Sequence, residues 1–237
     1  EQVLIAVDKP EGVPCQAEDP QHPDDLKYRI QIERGLDYLG VHQRLDRDTS
    51  GVLVYAKRKS ANKSLAAQFE GHRVEKRHVA LVEGDVPEGR LEHHLARTRD
   101  GLTEVVPASD RRGKRAVTHV ETIRREGRRA LVALHNEAGN AHPIRAQLAS
   151  VGAPVVGDGP YGGAPASRLM LHASAVSLRH PATDELVRIE APAPSLFTSM
   201  LAERDPYDDL AGALESAAER RFGLAHRDDI DAYRLVN

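Results

Sequence analysis

The sequence predicts an α+β fold dominated by antiparallel strands. Seven segments alternate apolar and polar residues with a period of two and are rich in β-branched residues, whereas helical segments are fewer. The chain has 237 residues, of which 40% are hydrophobic, so it can form one large domain or two small ones around a substantial core.

The predicted elements extend over most of the chain. Strands are expected at residues 3–8, 52–57, 77–83, 116–125, 129–136, 172–179 and 186–191. The first helix should begin with Ser60 as its N-cap and end near Gly71, because an apolar helical pattern lies between a capping residue and a glycine. Three further helices are expected at residues 141–151, 195–201 and 211–222.

Charge is distributed unevenly along the chain. The net charge of −3 gives no global attraction to phosphate groups. Residues 1–25 carry seven acids and one base, and residues 201–237 carry nine acids and five bases, so the middle of the chain is positive at +7. Its basic residues cluster at 57–59, at Arg73, Lys76 and Arg77, at 111–115, and in the pairs 124–125 and 128–129. A basic face would guide RNA, but solvated strands and hairpin loops explain such runs equally well, and both interpretations stay open.

Composition also bears on location and assembly. The single cysteine, Cys15, excludes an internal disulfide and fits a reducing cytoplasm. No apolar run approaches the roughly 18 residues of a membrane span, and no charged and then apolar leader precedes the first strand. A soluble, cytoplasmic protein without a membrane partner is therefore expected. The oligomeric state stays open, and a monomer is compatible with the sequence.

The segment RLDRDTSG, from Arg44 to Gly51, is the most informative part of the sequence. Its turn-forming residues lead into an alternating apolar stretch, which predicts that Asp46 lies on a loop at the mouth of a strand. Arg44 and Arg47 flank Asp46, and nearby positive charges favour an ionised carboxylate. Such a carboxylate can act as a nucleophile or a base. An ordinary surface turn is the alternative.

This segment resembles the signature HRLDxxTSG of the RluA-type RNA pseudouridine synthases. Five further blocks are similar to that family's motifs and occur in the same order, at residues 3–14, 74–84, 113–123, 138–163 and 168–194. Their order is more specific than any single block. The resemblance implies the pseudouridine synthase fold, in which a mostly antiparallel mixed sheet with flanking helices carries a central catalytic groove.

The resemblance also implies the roles of three catalytic residues. Asp46 would attack the ribose of a uridine, or remove a proton from it, and Arg145 would form an ion pair with Asp46. His78 stands where the family generally has a Tyr that stacks on the base; an imidazole is planar and, with an ordinary pKa of about 6.5, can also accept a proton. No cofactor and no metal are implied. The implied substrate-binding residues are Arg44, Thr49, Gly51, Ile144 and Leu171.

Several positions depart from the family pattern. His78 is one of them, and Gln43 separates His42 from Arg44. In the third motif the usual Arg-Thr pair and Gln are replaced by Asn140, Ala141 and Pro143. A non-catalytic RNA-binding module of the same fold is therefore an alternative to an enzyme.

A glycosidase-like hydrolase is a third reading of the same segment. Asp46 and Asp48 would then be its paired carboxylates. The remaining motifs give that reading no support.

The resemblance gives an expected domain organisation and substrate. Residues 1–200 would form the catalytic domain, and residues 201–237 a helical extension or the start of a second domain. From Ala213 onward the tail resembles the segment that leads into rRNA methyltransferase domains. The implied reaction is the isomerisation of uridine to pseudouridine in structured RNA, either ribosomal or transfer RNA.

Overall fold

A computed structural model describes residues 2–17, 24–137, 143–201 and 230–234. The chain divides into two compact units. Unit 1 comprises residues 1–75, 173–191 and 223–237, and unit 2 comprises residues 76–172 and 192–222. Mostly antiparallel strands with few helices build both units, which confirms the predicted α+β class.

The helices and strands follow one another in an order close to the predicted one. In chain order they are β1 (Leu4–Lys9), α1 (Leu26–Arg34), β2 (Gly40–Val41), β3 (Ser50–Ala56), α2 (Asn62–Glu70), β4 (Glu75–Glu83), β5 (Gly89–Arg97), β6 (Thr103–Val106), β7 (Lys114–Glu126), β8 (Arg129–Asn136), α3 (Pro143–Ser150), β9 (Leu171–Arg179), β10 (Leu186–Glu190), α4 (Ser195–Ser199) and β11 (Ile230–Arg234). All seven predicted strands are present, with boundaries shifted by at most two residues. The helix predicted at residues 211–222 lies outside the described residues.

Unit 1 is built on the strand order β11-β1-β3-β9, in which β10 pairs with β9 and β2 pairs with β3. β11 runs parallel to β1, whereas β1 and β3 are antiparallel and bring Lys9 opposite Gly51. Val52 and Val54 pack in one apolar cluster, and Leu53 and Tyr55 pack in another. The sequence predicted a half-buried strand here, but β3 is buried on both faces.

Helix α1 was not predicted from the sequence. Its ends are well defined: Asp25 accepts a hydrogen bond from the Tyr28 amide (2.7 Å), and Gly35 closes the helix in the left-handed conformation (φ 60°). Only Leu26 and Ile30 are buried, while Ile32 is 68% exposed. The apolar periodicity is therefore too weak to identify the helix.

Helix α2 begins later than predicted. Residues Lys59–Ala61 form a turn of 3-10 helix, and α2 starts at Asn62 with Ala61 as its N-cap and no side-chain cap. The N-cap assignment to Ser60 is therefore wrong. The preceding helical turn occupies the position that a capping side chain would take, since the Ala61 amide donates to the Arg58 carbonyl (3.1 Å).

Unit 2 has the strand order β4-β8-β7-β5-β6, and each neighbouring pair is antiparallel. Strands β5 and β6 were not predicted, because β5 is rich in charged and histidine residues and β6 has only four residues. Helix α3 adds Ile144 and Leu148 to the apolar core of this unit. Among the described residues, no helix combines the length and hydrophobicity needed to cross a membrane.

Candidate active site

Asp46 lies in the loop between β2 and β3, where the sequence predicted it. The Thr49 amide donates to the Asp46 carbonyl (3.1 Å), which closes a four-residue turn immediately before β3 begins at Ser50. The Asp46 side chain is half-buried. A tight turn at the start of a buried strand therefore holds the carboxylate at a defined place in unit 1.

The buried amine of Lys9 holds this turn in place by hydrogen bonds. Its Nζ donates to three backbone carbonyls, those of Pro10 (2.8 Å), Val13 (2.7 Å) and Arg47 (2.8 Å). An ammonium group has three protons, so these three bonds match its full donor capacity. The last of them ties the end of β1 to the Asp46 turn. The sequence places Lys9 in one of the family's motifs but predicted no role for it. A lysine at the end of a largely apolar strand is the feature that could have indicated a buried amine.

Electrostatics around Lys9 connect it to Asp46. Burial lowers the pKa of Lys9 to about 8, while the negative groups at Cys15, Asp48, Asp46 and Glu11 act in the opposite direction. Lys9 thus remains largely protonated at neutral pH.

Two further links hold the same loop. Arg47 donates from Nε to the Gly12 carbonyl (2.9 Å). Cys15 and Leu45 bind each other twice, because the thiol donates to the Leu45 carbonyl (3.2 Å) and its sulfur accepts from the Leu45 amide (3.2 Å). The residues on both sides of Asp46 are therefore fastened to the segment that follows β1.

The predicted substrate-binding residues of unit 1 have different surroundings. Arg44 is exposed, whereas Thr49 is buried and its hydroxyl has no hydrogen-bond partner in the described part of the chain. Gly51 has φ +112°, and a Cβ there would lie 2.2 Å from the Ala173 carbonyl oxygen. Glycine is required at this position by the close approach of the backbone, and its predicted contact with substrate stays a prediction.

Arg145 is held by a carboxylate that the sequence did not reveal. Its Nε and Nη2 donate to Oδ2 and Oδ1 of Asp158, both at 2.7 Å. The exposed fractions are only 8% for Arg145 and 1% for Asp158, so the ion pair is buried. Two parallel charge-assisted hydrogen bonds fix the plane of the guanidinium group. A buried arginine requires an acidic partner, and that requirement was the signal for Asp158, in the turn that follows α3.

Tyr161 completes the surroundings of Arg145. The guanidinium carbon lies 4.9 Å from the centre of the Tyr161 ring, and the Tyr161 hydroxyl accepts a hydrogen bond from the Thr103 amide (2.8 Å). The side chain of Arg145 is thus oriented by a carboxylate and by an aromatic ring. Arg145 belongs to unit 2 and Asp46 to unit 1. The predicted ion pair between them stays a prediction.

His78 lies on β4 and is buried in unit 2. Burial, with further contributions from the charges of Lys76, His172 and His135, lowers the pKa of His78 to about 3. Its Nδ1 atom has no hydrogen-bond partner among the described residues. The imidazole is therefore neutral near pH 7 and carries a buried polar atom that is able to take a partner.

Ile144 and Leu171 belong to the apolar core of unit 2. They are 4% and 3% exposed and lie in one cluster with Leu81, Val132 and Phe197. Core packing accounts for both side chains. Their predicted contact with a base stays a prediction.

Comparisons with known proteins agree with these observations. The sequence pattern described as RNA pseudouridylate synthase matches residues 3–150. An uncharacterized RNA pseudouridine synthase of Bacillus subtilis is 34% identical over 210 residues, which are 81% of this chain and 66% of that protein. The ribosomal large subunit pseudouridine synthase D of Zymomonas mobilis is 34% identical over 65% of this chain and 53% of its own length. The tRNA pseudouridine synthase C of Yersinia pestis is 32% identical over 79% of this chain and 82% of its own length.

The fold also resembles a solved structure. Human RNA Pseudouridylate Synthase Domain Containing 1 superposes with a TM-score of 0.72 at 24% identity, over 91% of this chain and 92% of that one. At this identity the likeness concerns the fold. The chain spans about half to two thirds of the length of the first two curated relatives.

Proposed function

Because this chain belongs to the RNA pseudouridylate synthase family, we propose that it isomerises uridine to pseudouridine in structured RNA. The observation that carries the proposal is the Asp46 turn, which Lys9 and Arg47 fasten beside a buried positive charge. The names of two relatives refer to the large ribosomal subunit and to tRNA, which supports ribosomal or transfer RNA as the substrate.

The proposed reaction centres on the carboxylate of Asp46. The target uridine leaves its stacked position to reach the enzyme, as acting on a base inside RNA requires. Asp46 then attacks the ribose or removes a proton from it while the bond between C1′ and N1 breaks. The freed uracil rotates and forms a new bond from C5 to C1′, while the bond from Asp46 to C1′ breaks on the first route or Asp46 returns the proton to the ribose on the second. The proton on C5 leaves and N1 gains one, so atoms and charge balance without a cofactor.

Lys9 is proposed to keep Asp46 in position for either route. Its three hydrogen bonds leave the Arg47 carbonyl, next to Asp46 in the chain, little freedom to move. A carboxylate held in one place loses little orientational freedom when it reacts, which lowers the barrier.

Arg145 is proposed as a rigid cationic partner in the reaction. The bidentate bond to Asp158 and the contact with Tyr161 fix its direction without any substrate present. A preorganised cation stabilises developing negative charge without having to reorganise during the reaction.

His78 is proposed to hold the base as a planar hydrogen-bonding group. With a pKa of about 3, its imidazole is protonated in only about one molecule in ten thousand at pH 7. It is therefore a weak base at neutral pH, and the proton on C5 leaves either to His78 or to a water molecule. Its buried Nδ1 atom suits a hydrogen bond to the uracil edge.

Release of tritium from RNA labelled at C5 of uridine tests the proposal. RNA is taken from a cell that lacks the gene, and the Asp46→Asn variant, which keeps the shape of the side chain but removes its charge, serves as the control. We expect the wild-type protein to release tritium and the variant to release none. A wild-type protein that binds this RNA without releasing tritium would instead be the non-catalytic RNA-binding module.

A further inference from the structure

The arginines of the β7–β8 hairpin in unit 2 are largely neutralised. Eight basic residues lie between positions 111 and 129, and five of them form an ion pair with a carboxylate. The pairs are Arg112–Asp110 (2.7 Å), Arg115–Glu92 (2.6 Å), Arg124–Glu126, Arg125–Asp85 (3.3 Å) and Arg129–Glu83 (3.4 Å). Adjacent opposite charges cancel most of each other's field beyond a few ångströms in salt solution. These five arginines are therefore weak attractors of phosphate, whereas Arg111, Lys114 and Arg128 form no ion pair with a described carboxylate.

Unit 1 has a different basic surface, which we call the basic strip and define as Lys59, Lys63 and Arg73. All three side chains are exposed and, in the described ranges, none forms an ion pair with a carboxylate. Arg73 donates from Nη2 to the Ala67 carbonyl (3.0 Å), so it is ordered without being neutralised. The segment 57–73 contains five basic residues and one acidic residue, Glu70. The positive charge of Lys59, Lys63 and Arg73 is thus available to an external anion.

Planar side chains lie beside the basic strip. The rings of His42 and Phe69 are nearly parallel, with an interplanar angle of 9° and centres 6.5 Å apart. Asn62 connects this ring pair to Tyr38: its Oδ1 lies 3.0 Å from Nε2 of His42, and its Nδ2 donates to the Tyr38 hydroxyl. Lys59 in turn lies over the Tyr38 ring, 5.8 Å from its centre. The rings of His42, Phe69 and Tyr38 are all half-buried and retain accessible area.

The composition of this surface fits one kind of partner. Cations that follow a backbone, together with aromatic rings that stack on bases, are the two components of surfaces that bind single-stranded nucleic acid. A protein surface would be matched by carboxylates, but carboxylates would gain nothing from the ring pair.

The register of unit 1 locates this surface relative to the Asp46 turn. β2 pairs with the far end of β3, where Gly40 lies opposite Ala56, whereas the Asp46 turn precedes the start of β3. Seven residues of strand span about 20 Å at roughly 3.3 Å per residue. His42 lies on the chain segment that connects the two ends. RNA bound at the basic strip therefore lies several nucleotides away from a base at Asp46.

We propose that the basic strip and the His42–Phe69 ring pair bind the RNA strand that flanks the target uridine, and that the five paired arginines of the β7–β8 region of unit 2 do not. The inference rests on the proposed function, since it assigns a second contact to the same RNA. It also states which basic cluster of the sequence binds RNA, a question that composition alone leaves open.

Salt-dependent binding of a fluorescein-labelled single-stranded RNA of about 20 nucleotides tests the inference. Binding is measured in the Asp46→Asn variant, so that turnover plays no part. The strip variant Lys59→Gln/Lys63→Gln/Arg73→Gln is compared with the hairpin variant Arg112→Gln/Arg115→Gln/Arg124→Gln, which removes the same number of positive charges. Each lost contact between a cation and a phosphate of a single strand lowers the slope of log K against log salt by about 0.7.

We expect the strip variant to lower that slope by about 2 and the hairpin variant to leave it nearly unchanged. His42→Ala should weaken binding about fivefold or more at every salt concentration without changing the slope, because stacking does not release counterions. An equal loss of slope in both triple variants, or a loss in the hairpin variant alone, would overturn the inference.

The inference and the proposed function fail in different ways. If the strip controls RNA binding but the wild-type protein releases no tritium, the RNA contact stands and the isomerisation does not. If tritium is released and the slope depends on the hairpin, the isomerisation stands and the basic strip does not bind RNA.

Discussion

The buried ion pair between Arg145 and Asp158 gives the sharpest prediction about stability. Asp158→Asn keeps the size of the side chain but removes the carboxylate that binds the buried guanidinium of Arg145 at two atoms. Of the two hydrogen bonds of 2.7 Å, one loses its acceptor and the other loses its ionic character, and only 8% of Arg145 is exposed to water. Breaking a buried pair by removing one partner costs about 3–5 kcal/mol. For a chain of this size that corresponds to a fall in Tm of roughly 6–20 °C.

The cause can be separated from simple loss of packing. Replacing both charges in the double variant Arg145→Met/Asp158→Leu removes the charge without leaving an unpaired partner. Apolar replacements of buried pairs are often neutral or stabilising, so this variant should recover most of the loss. Urea unfolding followed by circular dichroism measures the free energy of unfolding of the wild type, of Arg145→Met, of Asp158→Leu and of the double variant, which together give the coupling energy.

An exposed pair of the same length provides the control. Arg112 and Asp110 are also joined at 2.7 Å, but 61% of the Arg112 side chain is exposed. Asp110→Asn should change the midpoint of unfolding little, because exposed pairs contribute little. If Asp158→Asn costs no more than Asp110→Asn, or if the double variant is as unstable as the single ones, the reasoning about a buried, unpaired charge is wrong.

Three further predictions concern Lys9, His78 and Gly51. The pKa of Lys9 falls from 10.5 to about 8 on folding, so between these pH values the unfolded chain binds more protons than the folded one. As pH rises from 8 to 10.5, the free energy of unfolding of the wild type should therefore increase by about 3 kcal/mol relative to that of Lys9→Met. Parallel curves of unfolding free energy against pH for the two proteins would contradict this. The pKa of His78 falls from 6.5 to about 3 on folding, so its contribution to stability is complete above pH 6.5 and is lost as pH falls towards 3. His78→Phe should therefore move the midpoint of acid unfolding to lower pH. An unchanged midpoint would refute the assignment of His78 as a buried, neutral imidazole. Gly51→Ala places a methyl group 2.2 Å from a carbonyl oxygen and should lower the melting temperature far more than Gly89→Ala, where φ is also positive but no atom lies within 4 Å. Equal melting temperatures of the two variants would show that a small shift of the backbone relieves the contact.

Periodicity predicted the strands well but not every element. The strands with apolar alternation were found because burial on a sheet face selects that pattern. β5 was missed because His93 and His94 interrupt its alternation, although both are strand residues. α1 was missed because it buries only two side chains. Local sequence carries too little signal where an element contacts the core through few residues.

The candidate site was predictable where its chemistry is local. Asp46 was located because the turn residues around it and the strand after it lie within ten positions. Asp158 was missed because its partner lies 13 residues away, and only the fold brings the two together. The role of Lys9 was missed for a related reason, since one of its three acceptors is the carbonyl of Arg47, 38 positions along the chain.

Because the amine of Lys9 is enclosed, its chemical reactivity can be used to measure local opening of the folded protein. Acylating reagents attack unprotonated amines, and with a pKa of about 8 Lys9 would be more reactive at pH 8 than an ordinary lysine if a reagent could reach it. The side chain is fully buried, so modification requires the Asp46 turn to separate from the end of β1. The rate at which Lys9 is acylated, compared with that of the exposed Lys63, therefore measures how often this loop opens in the folded protein.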